Sequence, residues 1–291
     1  MKLRDTAIGF VAIIMWAFLA LLSTAVGPVP PFLLTAMAFL IGALSIMVTW
    51  PFRPQAIRSL RQPIGVWVIG CLGLCAYHCL YFYAIQNAPP VEASLIAYLW
   101  PLLIVLFSAL LPGERLKFHH VLGAICGLAG AALIITKGGQ VGFSSGIKSG
   151  HVAALACAFV WSSYSLLSRR YPGAPPDVVA GFCLVTSVVA VAIHFAVQEP
   201  MIMPVVPSSW VALVLLGVFP LGLAFFTWDI GVKKGDIQVL GAASYASPLL
   251  STLVMLAAGL AAYSNSLVIA CLLITLGATL AAKDMIFRRK S

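Results

Sequence analysis

Charged residues are scarce in this sequence: they make up 9% of its 291 residues, and only eight of them are acidic. Soluble globular proteins average about 25% charged residues. Apolar residues instead reach 62%, with a mean hydropathy of +1.06. Because a soluble fold cannot bury so large an apolar fraction, the composition excludes a disordered chain, a disulfide-rich secreted scaffold and an ordinary cytosolic enzyme. The sequence predicts a multi-pass membrane protein.

Motifs for zinc-dependent or nucleotide chemistry are also lacking, and the one G-x-S-x-G match, Gly142 to Gly146, lies in a predicted loop between helices rather than after a strand. The sequence contains neither an H-E-x-x-H zinc motif nor a glycine-rich phosphate-binding loop, so we expect neither an enzyme nor a carrier that ATP drives directly. Cys71, Cys75 and Cys79 recur every four residues beside His78, but small apolar packing explains this spacing better than a metal site does. We therefore expect no cofactor and no metal.

Ten apolar stretches are long enough to cross a membrane at about 20 residues each. They are predicted at 5–26, 31–50, 63–87, 91–111, 118–137, 149–169, 177–197, 208–232, 238–260 and 266–286. Fifteen of the seventeen Lys and Arg lie on one side of this arrangement, and only Lys137 and Lys148 lie on the other. The positive-inside rule places the rich side, with both termini, in the cytoplasm. Because these charges mark helix ends rather than one continuous face, the net charge of +9 does not indicate nucleic-acid binding.

A weak internal duplication divides the chain into two halves. Three segments recur 145 to 147 positions later: Trp16 to Ser23 as Trp161 to Ser168, Pro30-Pro31 as Pro175-Pro176, and Tyr98 to Leu103 as Tyr245 to Leu250. With five helices in each copy, the second copy enters the membrane from the opposite face. The prediction is an all-α membrane protein of two inverted five-helix repeats, 1–145 and 146–291, in one membrane domain. Such symmetry favours an alternating-access carrier, with a channel as the alternative.

A family resemblance is carried by the end of the first half. Leu110 to Leu116 reads LLPGERL and is followed by Leu122-Gly123-Ala124 and by Gly127 to Gly130. These motifs resemble EamA-type members of the drug/metabolite transporter superfamily, and the resemblance covers the whole chain. It implies ten helices in two inverted five-helix repeats. Many members carry an Arg in helix 2, where this chain has Met37-Ala38-Phe39.

The glycines of the same region are predicted to be packing devices. Gly123, Gly127 and Gly130 are spaced for close approach of another helix backbone, and Gly277 matches Gly130 in the second half.

Two prolines indicate where a solute could bind. Pro101 and Pro248 lie near the centres of helices 4 and 9, and each deprives the carbonyl four residues back of its helical donor. One explanation is a simple kink, in which neighbouring side chains donate hydrogen bonds to the freed carbonyls. Their equivalent positions, each three residues after a Tyr, favour a site near the membrane midplane. There Tyr98, Ser244 and Tyr245 could contact a substrate's ammonium or carboxylate.

Aromatic residues with polar edges complete the predicted site. His78 and Tyr81 share one face of helix 3, and their aligned partners in helix 8 are Phe225 and Trp228. A neutral core histidine and a substrate contact or protonation switch are equally good explanations of His78. The candidate substrate-binding residues are Trp16, His78, Tyr81, Tyr98, Pro101, Trp161, Phe225, Trp228, Ser244, Tyr245 and Pro248.

These rings suit an amphipathic aromatic cargo. They also resemble those of bacterial aromatic amino acid exporters of the superfamily, which implies export of aromatic amino acids and related solutes across the inner membrane. Membrane lipid is the other expected partner. A drug or cation efflux carrier, a channel-like facilitator of the same fold and an integral membrane enzyme are the alternatives.

Of the eight acidic residues, seven fall at helix ends or in loops, and Asp229 alone lies inside a predicted helix. Asp229 stands four residues before Lys233, and this spacing predicts an ion pair on one helix face rather than a proton carrier. We therefore expect transport without an imposed pH difference.

Overall fold

The computed structural model describes residues 2–136, 147–260 and 263–284. Within these ranges the chain consists of helices, turns and connections, and it contains no strand. The all-α class predicted from the sequence is thereby confirmed. The predicted boundary between the halves, at 145–146, lies outside the described residues, as do Lys137 and the predicted end of the last helix at 286.

The apolar helices follow one another as predicted, within a few residues at each end. In chain order they are α1 (Lys2–Ala17 and Leu19–Val26), α2 (Pro31–Met47), α3 (Ile64–Cys71, Leu72–Ala76 and Tyr77–Asn87), α4 (Pro90–Ala97 and Trp100–Phe107), α5 (Phe118–Ile135), α6 (Ser149–Leu167), α7 (Val179–Ala196), α8 (Pro207–Val218, Phe219–Leu223 and Ala224–Lys234), α9 (Ile237–Ala243 and Ala246–Ala257) and α10 (Asn265–Ala281). Over the described ranges, nine helices, α1 to α9, are long and apolar enough to span a membrane. The apolar helix α10 has 17 residues, about 25 Å, against a hydrocarbon core of about 30 Å.

Helices of the first five pack mainly against helices of the last five. The main pairs are α1 with α8, α2 with α7, α3 with α6, α4 with α6 and α5 with α10, and α4 also contacts α9. The largest apolar core cluster draws buried side chains from both sets of helices. The two sets therefore form one intertwined bundle.

Glycines allow two of these pairs to approach closely. A Cβ added to Gly123 of α5 would lie 2.5 Å from the carbonyl oxygen of Gly277 on α10, and one added to Gly130 would lie 3.0 Å from that of Ala270. In the α1–α8 pair, a Cβ on Gly9 would lie 2.9 Å from Cα of Gly231. The predicted backbone contact through the α5 glycines is confirmed.

Five helices are interrupted, and the interruptions of four of them, α3, α4, α8 and α9, recur at similar spacing. The π-helical segments of α3 and α8, Leu72–Ala76 and Phe219–Leu223, stand 147 positions apart. The α-helix is interrupted before Trp100 in α4 and before Ala246 in α9. Each interruption precedes one of the predicted prolines, which cannot donate to the helical ladder. We call these two interruptions the α4 break and the α9 break.

Candidate functional site

Four tryptophans from four helices meet in one contact cluster. Trp16 of α1 and Trp100 of α4 come from the first five helices, and Trp161 of α6 and Trp228 of α8 come from the last five. All six ring pairs have centroid distances between 5.2 and 6.4 Å. Trp16 is half-buried, and the other three are buried. This tryptophan cluster therefore lies where the two sets of helices join.

Hydrogen bonds fix the orientation of two of these rings. Nε1 of Trp16 donates to the carbonyl oxygen of Pro220 in the π-helical segment of α8, at 3.1 Å. Nε1 of Trp228 donates to Oγ of Ser165 at 3.1 Å, and that hydroxyl donates to the carbonyl oxygen of Trp161 at 2.9 Å. Because a buried indole N–H needs an acceptor, these bonds hold the ring faces in place.

A second aromatic group continues the cluster toward α2 and α3. Phe225 lies 5.6 Å from Trp161 and stacks on Phe39 at 5.8 Å. His78 meets Phe39 edge-on at 4.8 Å, and its Nδ1 lies 2.7 Å from the carbonyl oxygen of Leu74. Since a carbonyl only accepts, Nδ1 carries the proton in this bond, and in a neutral ring Nε2 is left as an acceptor.

Three tyrosines extend the site on one side of the tryptophan cluster. Tyr77 lies 5.3 Å from Trp161 and stacks on Tyr81 at 6.2 Å. The hydroxyl of Tyr98 interacts with the side chain of Ser247. All three tyrosines are half-buried, whereas Trp161 is buried. These tyrosines therefore give the site a partly accessible wall of rings with polar edges.

The α9 break holds its predicted residues in a packed environment. Tyr245 is fully buried, and its hydroxyl accepts a hydrogen bond from the backbone N–H of Leu102 in α4, at 3.1 Å. Its ring covers Gly127 of α5, where an added Cβ would lie 2.6 Å from Cδ2. Oγ of Ser244 donates to the carbonyl oxygen of Leu240 at 2.7 Å, and Pro248 is buried. Tyr245 belongs to a separate apolar cluster with α4 and α5 residues. Its hydroxyl contacts the backbone of α4 just after the α4 break.

Buried ionic contacts close the molecule on the arginine-rich side. Lys233 and Asp229 form an ion pair at 2.8 Å with both side chains nearly inaccessible, which confirms the predicted pair. Arg169, in the 3₁₀ turn just after α6, binds Glu114 at 2.8 Å and also donates to the carbonyl oxygen of Val232 on α8, at 3.0 Å. The positive φ of Gly113, 80°, forms the turn just before Glu114. This layer links α6, α8 and the α4–α5 connection.

The opposite side carries two histidine–carboxylate contacts that the sequence analysis did not anticipate. Nε2 of His151 on α6 lies 2.8 Å from Glu92 on α4. Nδ1 of His194 lies 2.8 Å from Glu199, whose carboxylate also accepts the backbone N–H of Phe32 at the start of α2. Glu92 and Glu199 therefore each have a defined partner in the structure.

One group in the described part of the chain has the spacing of metal ligands. Candidate ligand atoms of His119, His120 and Asp284 lie within 4.8 Å of one another. Lys117 donates a hydrogen bond to the same carboxylate of Asp284. Because this ammonium would repel a bound cation, the group is better explained as a surface contact between α5 and the end of α10.

The structure brings the predicted residues together in two groups. Trp16, His78, Trp161, Phe225 and Trp228 share one network of ring contacts, and Tyr81 joins it through Tyr77. The remaining five, Tyr98, Pro101, Ser244, Tyr245 and Pro248, lie at or next to the two breaks.

Trp100, Phe39 and Tyr77 were not among the predicted site residues. Trp100 adjoins Pro101 in the repeated motif, but its counterpart is Ser247, so comparison of the halves gave no aromatic signal there. Phe39 stands in the helix 2 segment where the sequence departs from the family.

Comparison with known proteins gives consistent matches. The profile described as EamA-like transporter family matches residues 6–136 and 148–282. The aromatic amino acid exporter YddG of Ancylobacter novellus is 52% identical over 277 residues, 95% of this chain and 96% of the relative. YddG of Salmonella typhimurium is 26% identical, covering 86% of each chain, and the biotin transporter of Escherichia coli is 27% identical over 68% of this chain and 66% of the relative. A solved crystal structure of a protein is 49% identical over the full length of both chains, with a TM-score of 0.92.

A bundle of apolar helices with an aromatic site between its two sets of helices defines a multi-pass membrane transporter rather than an enzyme. Since the family profile matches nearly the whole chain, the chain belongs to the EamA-like transporter family.

Proposed function

We propose that this protein exports aromatic amino acids and related amphipathic solutes across a bacterial inner membrane by alternating access. The observation that carries the proposal is the tryptophan cluster at the junction of the two sets of helices, beside half-buried tyrosines. The relative that is 52% identical is named an aromatic amino acid exporter. An aromatic cargo matches both observations. Its ring would pack on the aromatic rings of the site, and the polar edges of those rings would orient its ammonium and carboxylate groups.

The proposed architecture is two inverted five-helix repeats with ten membrane crossings. A two-fold axis that exchanges each helix with the one five places later would map the α1–α8 pair onto α6–α3, the α4–α6 pair onto the α9–α1 contact, and the α2–α7 and α5–α10 pairs onto themselves. The π-helical segments at a spacing of 147 residues and the family profile that matches twice support this duplication. Under the positive-inside rule, the arginine-rich side and both termini are cytoplasmic.

The site chemistry suits a zwitterion with an aromatic side chain. Trp16, Trp161, Trp228 and Phe225 would contact the cargo's ring. The carboxylate would accept from the hydroxyls of Tyr81 and Tyr98. The ammonium would lie near Nε2 of His78, which is free to accept, and near aromatic faces that attract cations. In this proposal Pro101, Ser244, Tyr245 and Pro248 shape the breaks.

The conformation seen here corresponds to the outward-open state in this proposal. The buried ionic layer of Asp229, Lys233, Arg169 and Glu114 closes the arginine-rich side. The half-buried tyrosines lie toward the other side, where Glu92 meets His151. After the cargo is released outward, the outer side would close and the arginine-rich side would open, as expected for inverted repeats.

Counterflow in reconstituted vesicles tests the proposal. Vesicles loaded with unlabelled Phe should take up labelled Phe or Trp saturably, without an imposed pH difference because Asp229 is already paired with Lys233. Trp161→Ala should lower this uptake at least 10-fold, whereas Trp210→Ala, which changes an exposed tryptophan on α8, should leave it within two-fold.

Three results would contradict the proposal. Non-saturable flux without counterflow would indicate a channel-like facilitator, and exchange of cationic drugs but of no amino acid would indicate a drug carrier. Strict dependence on a pH gradient would contradict the assignment of Asp229 to a structural pair.

A further inference from the structure

A cavity of about 620 Å³ lies on the arginine-rich side, away from the aromatic site. It is lined by the 3₁₀-helical connection between α2 and α3, which includes Phe52, Arg58 and Ser59, and by Pro175 and Asp177 just before α7. Its volume is in the range of pockets that hold small molecules. It therefore has room for a ligand that the proposed transport cycle does not use.

The position of the cavity places it at the membrane surface. The connection from α2 to α3 joins two apolar helices, each of which is long enough to span the membrane. Large apolar side chains project from it: Phe52 is 89% exposed and Ile57 is 59% exposed. Ile64, at the start of α3, is 78% exposed. Such side chains beside arginines are typical of a segment that lies in the interface of the bilayer.

The charges around the cavity leave one arginine available. Arg53 binds the carboxylate of Asp177 at 2.9 Å, and Nε1 of Trp50 donates to the same carboxylate at 3.2 Å. Asp177 is the acidic residue in the lining, and Arg53 balances its charge. Arg58 also lines the cavity and has no carboxylate within ion-pair distance in the described ranges. The lining therefore carries net positive charge.

A buried hydroxyl in the same lining has no partner. Ser59 is 4% exposed, and its Oγ forms no hydrogen bond with any described residue. Buried polar groups in proteins are nearly always hydrogen-bonded. This oxygen is itself inaccessible to solvent, so a ligand in the cavity would become its partner once the Ser59 side chain turns toward the cavity. Arg61 follows the end of the same 3₁₀-helical segment and does not line the cavity.

We propose that this cavity binds the phosphodiester headgroup of an anionic phospholipid. Arg58 supplies the charge, because a guanidinium is suited to the paired oxygens of a phosphate. The hydroxyl of Ser59, once its side chain turns toward the cavity, donates to the same group. Exposed Phe52 and Ile57 would lie among the glycerol and upper acyl regions, which a free anion could not use. The headgroup would bridge the α2–α3 connection to the start of α7, and thus one set of helices to the other.

Retention of lipid by the purified protein tests the proposal. The full chain is transferred to nanodiscs of phosphatidylcholine with or without 30% phosphatidylglycerol, and tightly retained lipid is counted by native mass spectrometry. We expect retained phosphatidylglycerol to fall about 10-fold in Arg58→Gln and about three-fold in Ser59→Ala. Arg61→Gln, which removes an arginine of the same segment outside the cavity, should change it by less than two-fold.

The melting temperature gives an independent readout. In lipid-free detergent Ser59→Ala should melt at or above the temperature of the parent, because it removes an unsatisfied buried hydroxyl. On addition of short-chain phosphatidylglycerol the parent should gain more than the variant, so that the order of the two reverses. Neither measurement depends on which solute the protein transports.

Three outcomes would overturn the proposal. Equal loss of lipid in Arg58→Gln and Arg61→Gln would indicate diffuse attraction to the bilayer surface rather than a site. Equal retention of phosphatidylcholine and phosphatidylglycerol would remove the anionic headgroup from the assignment. Displacement of the lipid by 10 mM inorganic phosphate would make the cavity a site for free anions.

Discussion

The breaks in α4 and α9 hold equivalent tyrosines in different surroundings. Tyr98 and Tyr245 occur in the same sequence context, three residues before a proline. Tyr98 is half-buried beside the aromatic site, whereas Tyr245 is fully buried under α5. Each hydroxyl reaches the other break, since Tyr98 interacts with Ser247 and Tyr245 accepts from the N–H of Leu102. One local motif is thus partly accessible in α4 and tightly packed in α9.

A single glycine accounts for the burial of Tyr245. The ring lies against Gly127, and even a Cβ at that position would lie 2.6 Å from it. The position 147 residues later, in α10, is Ile274. Because this position carries a large side chain where α5 has none, the two tyrosines cannot be accommodated in the same way.

Filling the space at Gly127 is expected to have the largest effect. Gly127→Val forces the Tyr245 ring away from the α4 break, and overpacking of this kind costs about 3 kcal/mol of unfolding free energy. Unfolding in mixed detergent should show this loss, and transport should fall with it. Gly173→Val is the matched control, since a Cβ there meets nothing within 4 Å. Similar stability of both variants would show that the tight contact is not important.

Removing the hydroxyl of Tyr245 is expected to have the next largest effect on stability. Tyr245→Phe leaves the N–H of Leu102 without its acceptor, at a cost of about 1–3 kcal/mol. Tyr98→Phe should cost less than about 1 kcal/mol, because its half-buried surroundings allow water to replace the lost contact. Thermal unfolding of the two variants side by side checks this order, and a reversed order would contradict the structural role of Tyr245.

The two variants should rank in the opposite order in transport, with Tyr98→Phe lowering kcat/KM more than Tyr245→Phe. Tyr98→Phe removes a hydroxyl proposed to bind the cargo carboxylate, which corresponds to about 1 kcal/mol and a loss of about five-fold in kcat/KM. Tyr245→Phe should change kcat/KM less, when the rate is expressed per folded protein. Initial rates in vesicles measure both, and equal losses would mean that neither hydroxyl contacts the cargo.

The smallest effect is expected at an exposed ion pair remote from both breaks. Lys117 binds Asp284 and lowers the pKa of its carboxyl group. A lowered pKa means that the pair stabilises the fold above the usual Asp pKa of 3.8 and is lost as the pH falls through the lowered value. Since both side chains are well exposed, Asp284→Asn should cost less than about 1 kcal/mol at pH 7, as measured by thermal unfolding. A larger loss would show that the α5–α10 contact depends on charge rather than on glycine packing.

Much of the fold follows from local sequence. Helix positions depend on the length of apolar runs between charged or turn residues, and the breaks depend on prolines that cannot donate to the helical ladder. The pair of Asp229 with Lys233 was also predictable, because residues four apart share a helix face. Contacts between helices were harder to predict from local sequence. Trp100 enters the tryptophan cluster only because α4 packs beside α1 and α6.

By itself, the sequence determined a helical membrane protein with recurring proline breaks and many aromatic rings near them. The tertiary structure alone decided that four tryptophans meet at one point, that Phe39 stacks on Phe225, and that Tyr245 is buried while Tyr98 is partly accessible. The physical reason is that hydrogen bonding within a helix involves residues four apart. The burial of a side chain instead depends on the size of partners such as Gly127, more than 100 residues away from Tyr245 in the chain.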